Sequence, residues 1–256
     1  MKKNYILLLT AFILACTPSQ ESQLAKIQAF EKSEKTATKE GLEKLALLHK
    51  NYGLKYQDEI ANNYLYAAAQ HYFYEQDTVE SIALLSEYIT RDDSSDRYRN
   101  AAINLAIMYA RQHKYEQTEE LIAELLDKNL PTHAQWQDII TLYENKLKDA
   151  TTTLRPKDFE NLTMGYTAVG RYADAVRSLD NAIHKWSKFD NRSNLIYRAG
   201  FIAWEYQKNI PLAKSYYNRF LEEYPNDEKA AEVRQMLHDG ILEMSDEAIL
   251  NMLKGK

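Results

Sequence analysis

Apolar residues recur every three or four positions along most of this chain, which is the spacing of one face of an α-helix. The clearest example is a stripe between His133 and Lys148, formed by Trp136, Ile139, Ile140, Tyr143 and Leu147. No stretch shows the alternation of apolar and polar residues, bounded by glycine turns, that predicts a β-strand. The 256 residues include only 7 glycines and 5 prolines, and the most frequent residue types favour helix. The pattern therefore predicts an all-α protein.

A pattern of longer period repeats within these helices. Residues 211–225 place a small residue first, a large residue four positions later, two apolar residues beyond it, and a proline at the end. Three earlier segments carry the same arrangement without the proline. The sets are Ser81, Leu85, Tyr88 and Ile89; Thr118, Ile122, Leu125 and Leu126; Ala175, Leu179, Ala182 and Ile183; and the segment that begins at Ala213.

Each of these helices follows a partner helix in which a small residue precedes an aromatic residue by three positions. The matching pairs are Ala69 with Tyr72, Ala106 with Tyr109 and, less closely, Thr163 with Tyr166. In the last pair Trp204 takes the aromatic position and Gly200 lies one position early, which predicts a shifted first helix. Small residues at these positions let two helices approach closely.

Together these helix pairs resemble the tetratricopeptide repeat (TPR). The resemblance implies a right-handed helical-repeat solenoid whose first helices line a concave groove for a peptide or a partner's helix. The aligned repeats start near Asn62, Arg99, Pro156 and Asn194. The middle gap exceeds a repeat of about 34 residues by roughly one helix, and the stripe at 133–148 predicts an extra central helix there.

The segments around the repeats complete the predicted organisation. Residues 27–61 are interpreted as N-terminal helices with a degenerate half-repeat, and residues 62–256 as the TPR-like repeat domain. Segments 228–237 and 246–253 are interpreted as a C-terminal capping region, because a stacked array leaves its last apolar face exposed. The sequence leaves open whether the extra helix continues the array or divides it.

The first 15 residues have the composition of an export signal. Two lysines precede an apolar run that is too short to span a bilayer, for which a helix needs about 20 residues. Residues 13–16 resemble the lipobox of bacterial lipoproteins. The resemblance implies that residues 1–15 are a cleaved signal peptide, that Cys16 is the lipid attachment site, and that residues 16–26 are a lipidated tether. An alternative is an ordinary cleaved signal with a chance cysteine.

A lipid anchor at Cys16 would place the protein in the cell envelope, because two or three acyl chains hold a protein stably on a membrane. In the lipoproteins that this segment resembles, an aspartate after the cysteine favours retention in the inner membrane. Thr17 stands there instead. The expected localisation is therefore the outer membrane rather than the inner membrane.

Charge and residue types argue against several other functions. Removing the signal takes away Lys2 and Lys3 and no acid, so the formal net charge changes from -5 to -7, which does not suggest a nucleic-acid partner. Cys16 is the only cysteine. The 6 histidines lack the spacing of a zinc protease, and residues 92–96 lack the central glycine of a calcium-binding loop. The sequence also contains no glycine-rich phosphate-binding loop and no Gly-x-Ser-x-Gly nucleophile turn. We therefore expect no enzyme activity, no cofactor and no metal site.

Twelve residues are predicted to face a partner, because they occupy the groove positions of the first helices in the repeat frame. They are Asn63, Tyr66, Gln70 and Phe73; Asn100, Ile103, Ile107 and Arg111; Met164; and Arg198, Ile202 and Glu205. The chain has 19 tyrosines, and tyrosine and arginine dominate binding energy at interfaces. An alternative is that the isoleucines are covered by a neighbouring helix.

The leading functional hypothesis is an adaptor or scaffold that binds a protein or peptide partner in the cell envelope, in outer-membrane or peptidoglycan assembly. The runner-up is a glycan-binding accessory lipoprotein of an outer-membrane uptake system. It would need exposed aromatic residues beside planar polar side chains, such as Tyr66 near Asn63 and Gln70. An enzyme is the third hypothesis.

Overall fold

A computed structural model describes residues 18–92, 95–128 and 131–254. Within these ranges every regular element is a helix, so the predicted all-α class is confirmed. The chain divides into two compact units, an N-terminal unit that ends at Asp92 and a C-terminal unit that begins at Asp93. Within each unit, helices that follow one another along the chain pack as neighbours.

The described part of the N-terminal unit contains four α-helices and a short 3-10 turn. The helices are α1 (Gln20–Glu31), α2 (Lys39–Lys55), α3 (Glu59–Tyr74) and α4 (Thr78–Arg91), and the turn spans Glu34–Ala37. Each helix starts after a side chain that accepts a hydrogen bond from a backbone N–H of the first turn. These capping residues are Ser19, Thr38, Asp58 and Asp77, and such caps satisfy donors that a helix leaves unpaired.

Helix α1 differs from the expected tether, which was predicted to extend to residue 26. The chain is helical from Gln20, and Ile27 is buried in a small core with Tyr52 and Ala61. The Gln20 side-chain amide also donates a hydrogen bond of 3.0 Å to the Tyr52 hydroxyl. The helix is largely polar, so its stability depends on these contacts with α2 and α3, which no local pattern reveals.

The described part of the C-terminal unit contains nine α-helices and a 3-10 turn at Ile241–Glu243. The helices are α5 (Asp96–Arg111), α6 (Tyr115–Lys128), α7 (His133–Lys148), α8 (Pro156–Ala168), α9 (Tyr172–Lys185), α10 (Arg192–Glu205), α11 (Ile210–Glu223), α12 (Ala230–His238) and α13 (Asp246–Leu253). The predicted extra helix is α7 and has the expected bounds. The predicted capping helices are α12 and α13.

The small positions of the sequence pattern lie where paired helices touch. Ala106, Thr118, Thr163 and Ala175 are all fully buried. The Thr118 hydroxyl of α6 donates a hydrogen bond of 3.2 Å to the backbone carbonyl of Ala106 in α5. The Thr163 hydroxyl of α8 lies 3.5 Å from the carbonyl of Ala175 in α9. The predicted packing of helices in sequential pairs is thus confirmed.

The turns inside four helix pairs share one backbone feature. Gln76, His113, Gly170 and Lys208 have positive φ angles of 60°, 56°, 76° and 52°, and each lies two residues before its second helix begins. Only glycine adopts this left-handed conformation without a steric penalty. Because three of the four residues are not glycine, the geometry is set by the packing of the pair and not by the local sequence.

Two glycines show why other pairs can approach closely. A Cβ atom on Gly165 of α8 would lie 2.7 Å from Ile140 of α7, and one on Gly200 of α10 would lie 2.9 Å from the ring of Tyr217 in α11. Gly200 therefore takes the close-contact role in the last pair. This supports the shifted first helix that the sequence predicts there.

Candidate functional site

The predicted groove residues of the first repeat lie on one face of α3. The opposite face is fully buried and consists of Ala61, Leu65, Ala68 and Ala69. Because successive residues turn by about 100° around an α-helix, Asn63, Tyr66, Gln70 and Phe73 lie on the other side. Asn63 is exposed and the other three are half-buried. This face of α3 is therefore less buried than the face that packs in the core of the N-terminal unit.

Aromatic pairs surround this face. The ring of Tyr66 lies 5.0 Å from the ring of Tyr88 in α4, and the ring of Phe73 lies 5.6 Å from that of Tyr74. Tyr74 is 74% exposed, and Val79 at the start of α4 is 77% exposed. The turn between α3 and α4 thus presents both aromatic and aliphatic surface to solvent.

The extra helix covers part of the predicted groove on α5. Helix α7 packs against α5, and the side-chain amide of Gln135 donates a hydrogen bond of 2.6 Å to the side-chain oxygen of Asn100. Ile103 is 1% exposed. The assignment of Ile103 to a partner surface is corrected here, because an isoleucine buried in the folded chain cannot contact a partner. Ile107 is half-buried and Arg111 is exposed.

The remaining predicted groove residues lie on α8 and α10. Ile202 is 4% exposed, and it is corrected to a core residue for the same reason as Ile103. Met164, Arg198 and Glu205 are half-buried. Burial lowers the pKa of the Arg198 guanidinium, and the charge of Glu160 opposes that shift. Arg198 makes no hydrogen bond to the residues that the structure describes, so its donors remain available to a ligand.

A polar cleft of about 400 Å³ opens where α6, the end of α7 and the loop before α8 meet. The side chain of Lys146 is 2% exposed and lies at its base. Its ammonium donates a hydrogen bond of 2.7 Å to Asp158 and another to Glu119, which also pairs with Arg155. The buried charges therefore neutralise one another, and the cluster ties α6, α7 and α8 together.

Asp149 binds three residues that line this polar cleft, His113, Tyr115 and Thr151. It accepts hydrogen bonds from the backbone and hydroxyl of Thr151 and from the hydroxyl of Tyr115, and it lies 2.7 Å from Nδ1 of His113. The bonds from Thr151, with that from Tyr115, hold the pKa of the Asp149 carboxyl well below its usual range. Asp149 is thus a negative charge held beside the cleft.

A second cleft lies on the other side of the α7 C-terminus, with a volume of about 530 Å³. Leu147 and Leu154 are half-buried in it and Phe159 is 5% exposed. Asn181 and Lys185 of α9 form part of its edge. Lys146 and Leu147 at the end of α7 thus line two different clefts, one charged and one apolar.

Sequence reasoning missed both clefts, although one signal was present. Lys146 lies three residues after Tyr143 and seven after Ile139, so it shares the apolar face of α7. A lysine on such a face signals a buried ion pair. Its acidic partners come from two other helices, and no periodicity in the sequence identifies them.

Across residues 18–92, 95–128 and 131–254, no three His, Cys, Asp or Glu side chains are grouped so that they could hold a metal ion. In the same ranges, no helix is long and apolar enough to cross a membrane. The predicted signal peptide and Cys16 lie outside the described residues.

No model of a protein family matches this chain. No curated protein has a sequence similar to it.

Proposed function

We propose that this chain is an adaptor that binds a protein or peptide partner in the cell envelope and is anchored to a membrane, the outer membrane rather than the inner one, through a lipid on Cys16. The observation that carries the proposal is the division of α3 into two faces. One face is fully buried, and the other presents Asn63, Tyr66, Gln70 and Phe73. Partly exposed aromatic side chains such as Tyr66 and Phe73 are among the residue types that contribute most to protein interfaces.

The helix pairs are proposed to be of the TPR type. The support is the set of small residues at the contact of each pair and the left-handed residue before each second helix. Partner-binding positions in the C-terminal unit are then Asn100, Ile107, Arg111, Met164, Arg198 and Glu205. In this proposal α7 narrows the groove on α5 within that unit.

The test of partner binding is affinity capture from detergent-solubilised envelope with the full chain as bait. A Tyr66→Ala, Phe73→Ala double variant is expected to lose a specific protein that the unmodified chain retains. Asn63→Arg should weaken capture as well, because it places a large cation on the same face without touching the core. Tyr206→Ala, an exposed aromatic residue on the C-terminal side of α10, is the matched control and should retain the partner.

Two results would contradict the adaptor. Equal capture by all variants would show that the α3 face is not the binding surface. Binding to oligosaccharides in a glycan screen, without any protein partner, would favour the glycan-binding alternative. Circular dichroism of each variant separates lost binding from lost folding.

The anchor has its own test. Cys16→Ser is expected to move the protein from the membrane fraction to the soluble fraction without changing its thermal unfolding, because the anchor stands before the first described helix. If Cys16→Ser remained in the membrane fraction, the lipoprotein assignment would be wrong.

A further inference from the structure

The apolar cleft beside the C-terminus of α7 has the features of a separate binding site. It is lined by Leu147, Leu154, Phe159, Asn181, His184 and Lys185. None of these belongs to the twelve positions predicted from the repeat frame. We call this cleft, with its continuation along α9, the α9 groove.

The floor of the α9 groove is apolar and well supported. Phe159 is 5% exposed, and its ring meets that of Trp186 edge-on at 5.4 Å between centroids. Leu147 lies in the last turn of α7 and Leu154 in the loop between α7 and α8, and both are half-buried. A concave site with a rigid aromatic floor can take a bulky apolar side chain, because the area that the side chain buries is preformed.

The edge of the groove is positive. The lining of the larger cleft includes no carboxylate. In its continuation along α9, the carboxylate of Asp174 is paired with Arg171 and Arg177. The nearby Asp180 pairs with His184 at 3.4 Å and accepts a hydrogen bond from the Tyr216 hydroxyl. Lys185 has no carboxylate partner among residues 18–92, 95–128 and 131–254, and its ammonium lies 5.2 Å from the Trp186 ring. An exposed cation beside an apolar floor favours a ligand with an acidic group next to an apolar one.

The groove continues along α9 as a smaller cleft. The two clefts share Leu147, Phe159 and Asn181, and the smaller one extends to Asp174 and Arg177. From residue 174 to residue 185 a helix rises about 16 Å. An extended peptide of about five residues has the same length.

Asn181 lies at the middle of the groove and suits a peptide backbone. It is exposed and makes no hydrogen bond within the described part of the chain. Its side-chain amide offers both a donor and an acceptor, which matches the N–H and C=O groups of an extended peptide. An acyl chain cannot form hydrogen bonds with this amide. It would also bury more apolar surface in an enclosed cavity than in an open groove.

We infer that the α9 groove binds an extended segment of a partner protein in which a bulky apolar residue is flanked by acidic residues. The apolar residue rests on Leu154 and Phe159, an acidic residue pairs with Lys185, and Asn181 holds the backbone. The inference rests on the proposed function only for the source of the segment, a partner protein in the envelope.

The test measures fluorescence anisotropy of a fluorescein-labelled peptide with the sequence Gly-Asp-Glu-Phe-Asp-Glu-Gly, titrated with the full chain. Leu154→Glu is expected to weaken binding about tenfold and Lys185→Glu about fivefold, since each removes one of the two attractions. Asn181→Ala should weaken peptide binding by a factor similar to that of Lys185→Glu. Lys188→Glu is the matched control, because this exposed lysine lies outside the groove, and it should change binding less than about twofold.

Three outcomes would overturn the inference. The first is equal loss of binding in Lys185→Glu and Lys188→Glu, which indicates a nonspecific charge effect. The second is unchanged binding when the peptide carries alanine in place of phenylalanine. The third is no peptide binding together with dodecanoate binding that Leu154→Glu abolishes, which would make the groove a site for acyl chains.

The peptide-binding test can fail or succeed independently of the envelope-capture test. If peptide binding fails while envelope capture still depends on Tyr66 and Phe73, only the α9 groove inference is wrong. If peptide binding depends on Leu154 and Lys185 while capture does not depend on the α3 face, the α9 groove inference is supported. The proposal that the α3 face binds the partner is then wrong.

Discussion

The side-chain amide of Gln135 donates a hydrogen bond of 2.6 Å to the side-chain oxygen of Asn100 and so joins α7 to the predicted groove face of α5. The same Gln135 side chain accepts a hydrogen bond of 2.9 Å from the backbone N–H of Thr132 and caps the start of α7. One residue thus begins the extra helix and attaches it to its neighbour. As a result, α7 packs against the face of α5 that the sequence pattern predicts to bind a partner.

Gln135→Ala is expected to lower the free energy of unfolding by about 1–2 kcal/mol, because it removes a helix cap and a buried hydrogen bond together. Urea unfolding followed by circular dichroism measures the change. Gln137→Ala, an exposed position on the same helix, should change stability by less than about 0.5 kcal/mol. Equal effects of the two substitutions would show that the bond to Asn100 does not hold α7 in place.

Lys208→Gly is expected to stabilise the protein by about 0.5–1 kcal/mol. Lys208 has a φ angle of 52°, a conformation that costs an L-residue about 1–2 kcal/mol. Glycine avoids this steric cost, and the conformational entropy that it loses on folding costs less than the strain that it removes. The ion pair between Lys208 and Glu205 is exposed at 3.8 Å and contributes little. Gln207→Gly, where φ is not positive, should destabilise. Thermal unfolding compares the two, and a lower midpoint for Lys208→Gly would argue against the left-handed turn.

Lys146→Met is expected to destabilise the protein by about 3–5 kcal/mol, because it leaves Glu119 and Asp158 without their shared buried cation. Adding Glu119→Gln and Asp158→Asn should recover part of the loss, since the uncompensated charges are then removed. Lys148→Met, exposed in the same turn of α7, is the control and should be nearly neutral. Chemical denaturation gives the differences, and a nearly neutral Lys146→Met would show that the cluster does not hold the three helices together.

Stability is expected to fall as the pH drops below about 6.5, with His49 as one cause. Burial lowers the pKa of His49, against the opposing effect of Glu31 at 3.0 Å, while His71 adds to the lowering. Its ring is also stacked on Tyr64 at 4.5 Å. The unfolded chain therefore binds the proton at a higher pH than the folded chain, and acid favours unfolding.

The measurement is the thermal midpoint at pH 7.5 and pH 5.5. His49→Gln should reduce the difference between the two midpoints. His238→Gln, whose side chain is 84% exposed in the original protein, should leave the difference unchanged. If His49→Gln and the unmodified chain respond equally to pH, another group is responsible.

Much of the helical framework could be predicted from local pattern. The stripe from Trp136 to Leu147 predicts α7 with the bounds that the structure has. The repeat pattern assigns Ala106 and Thr118 to the contact between paired helices, and the two residues are joined there by a hydrogen bond. Residues three and four positions apart lie on the same face of a helix. A helix and its buried face can therefore be predicted from a short stretch of sequence.

The sequence by itself determined the helical class, the order of the helix pairs and the position of the extra helix. Only the tertiary structure decided that α1 is helical from Gln20, that Ile103 is buried and that α7 binds Asn100. It also decided that Lys146 pairs with both Glu119 and Asp158. These outcomes depend on residues far apart in the chain. A helical pattern shows which face is apolar, but which helix covers that face is set by packing between distant segments.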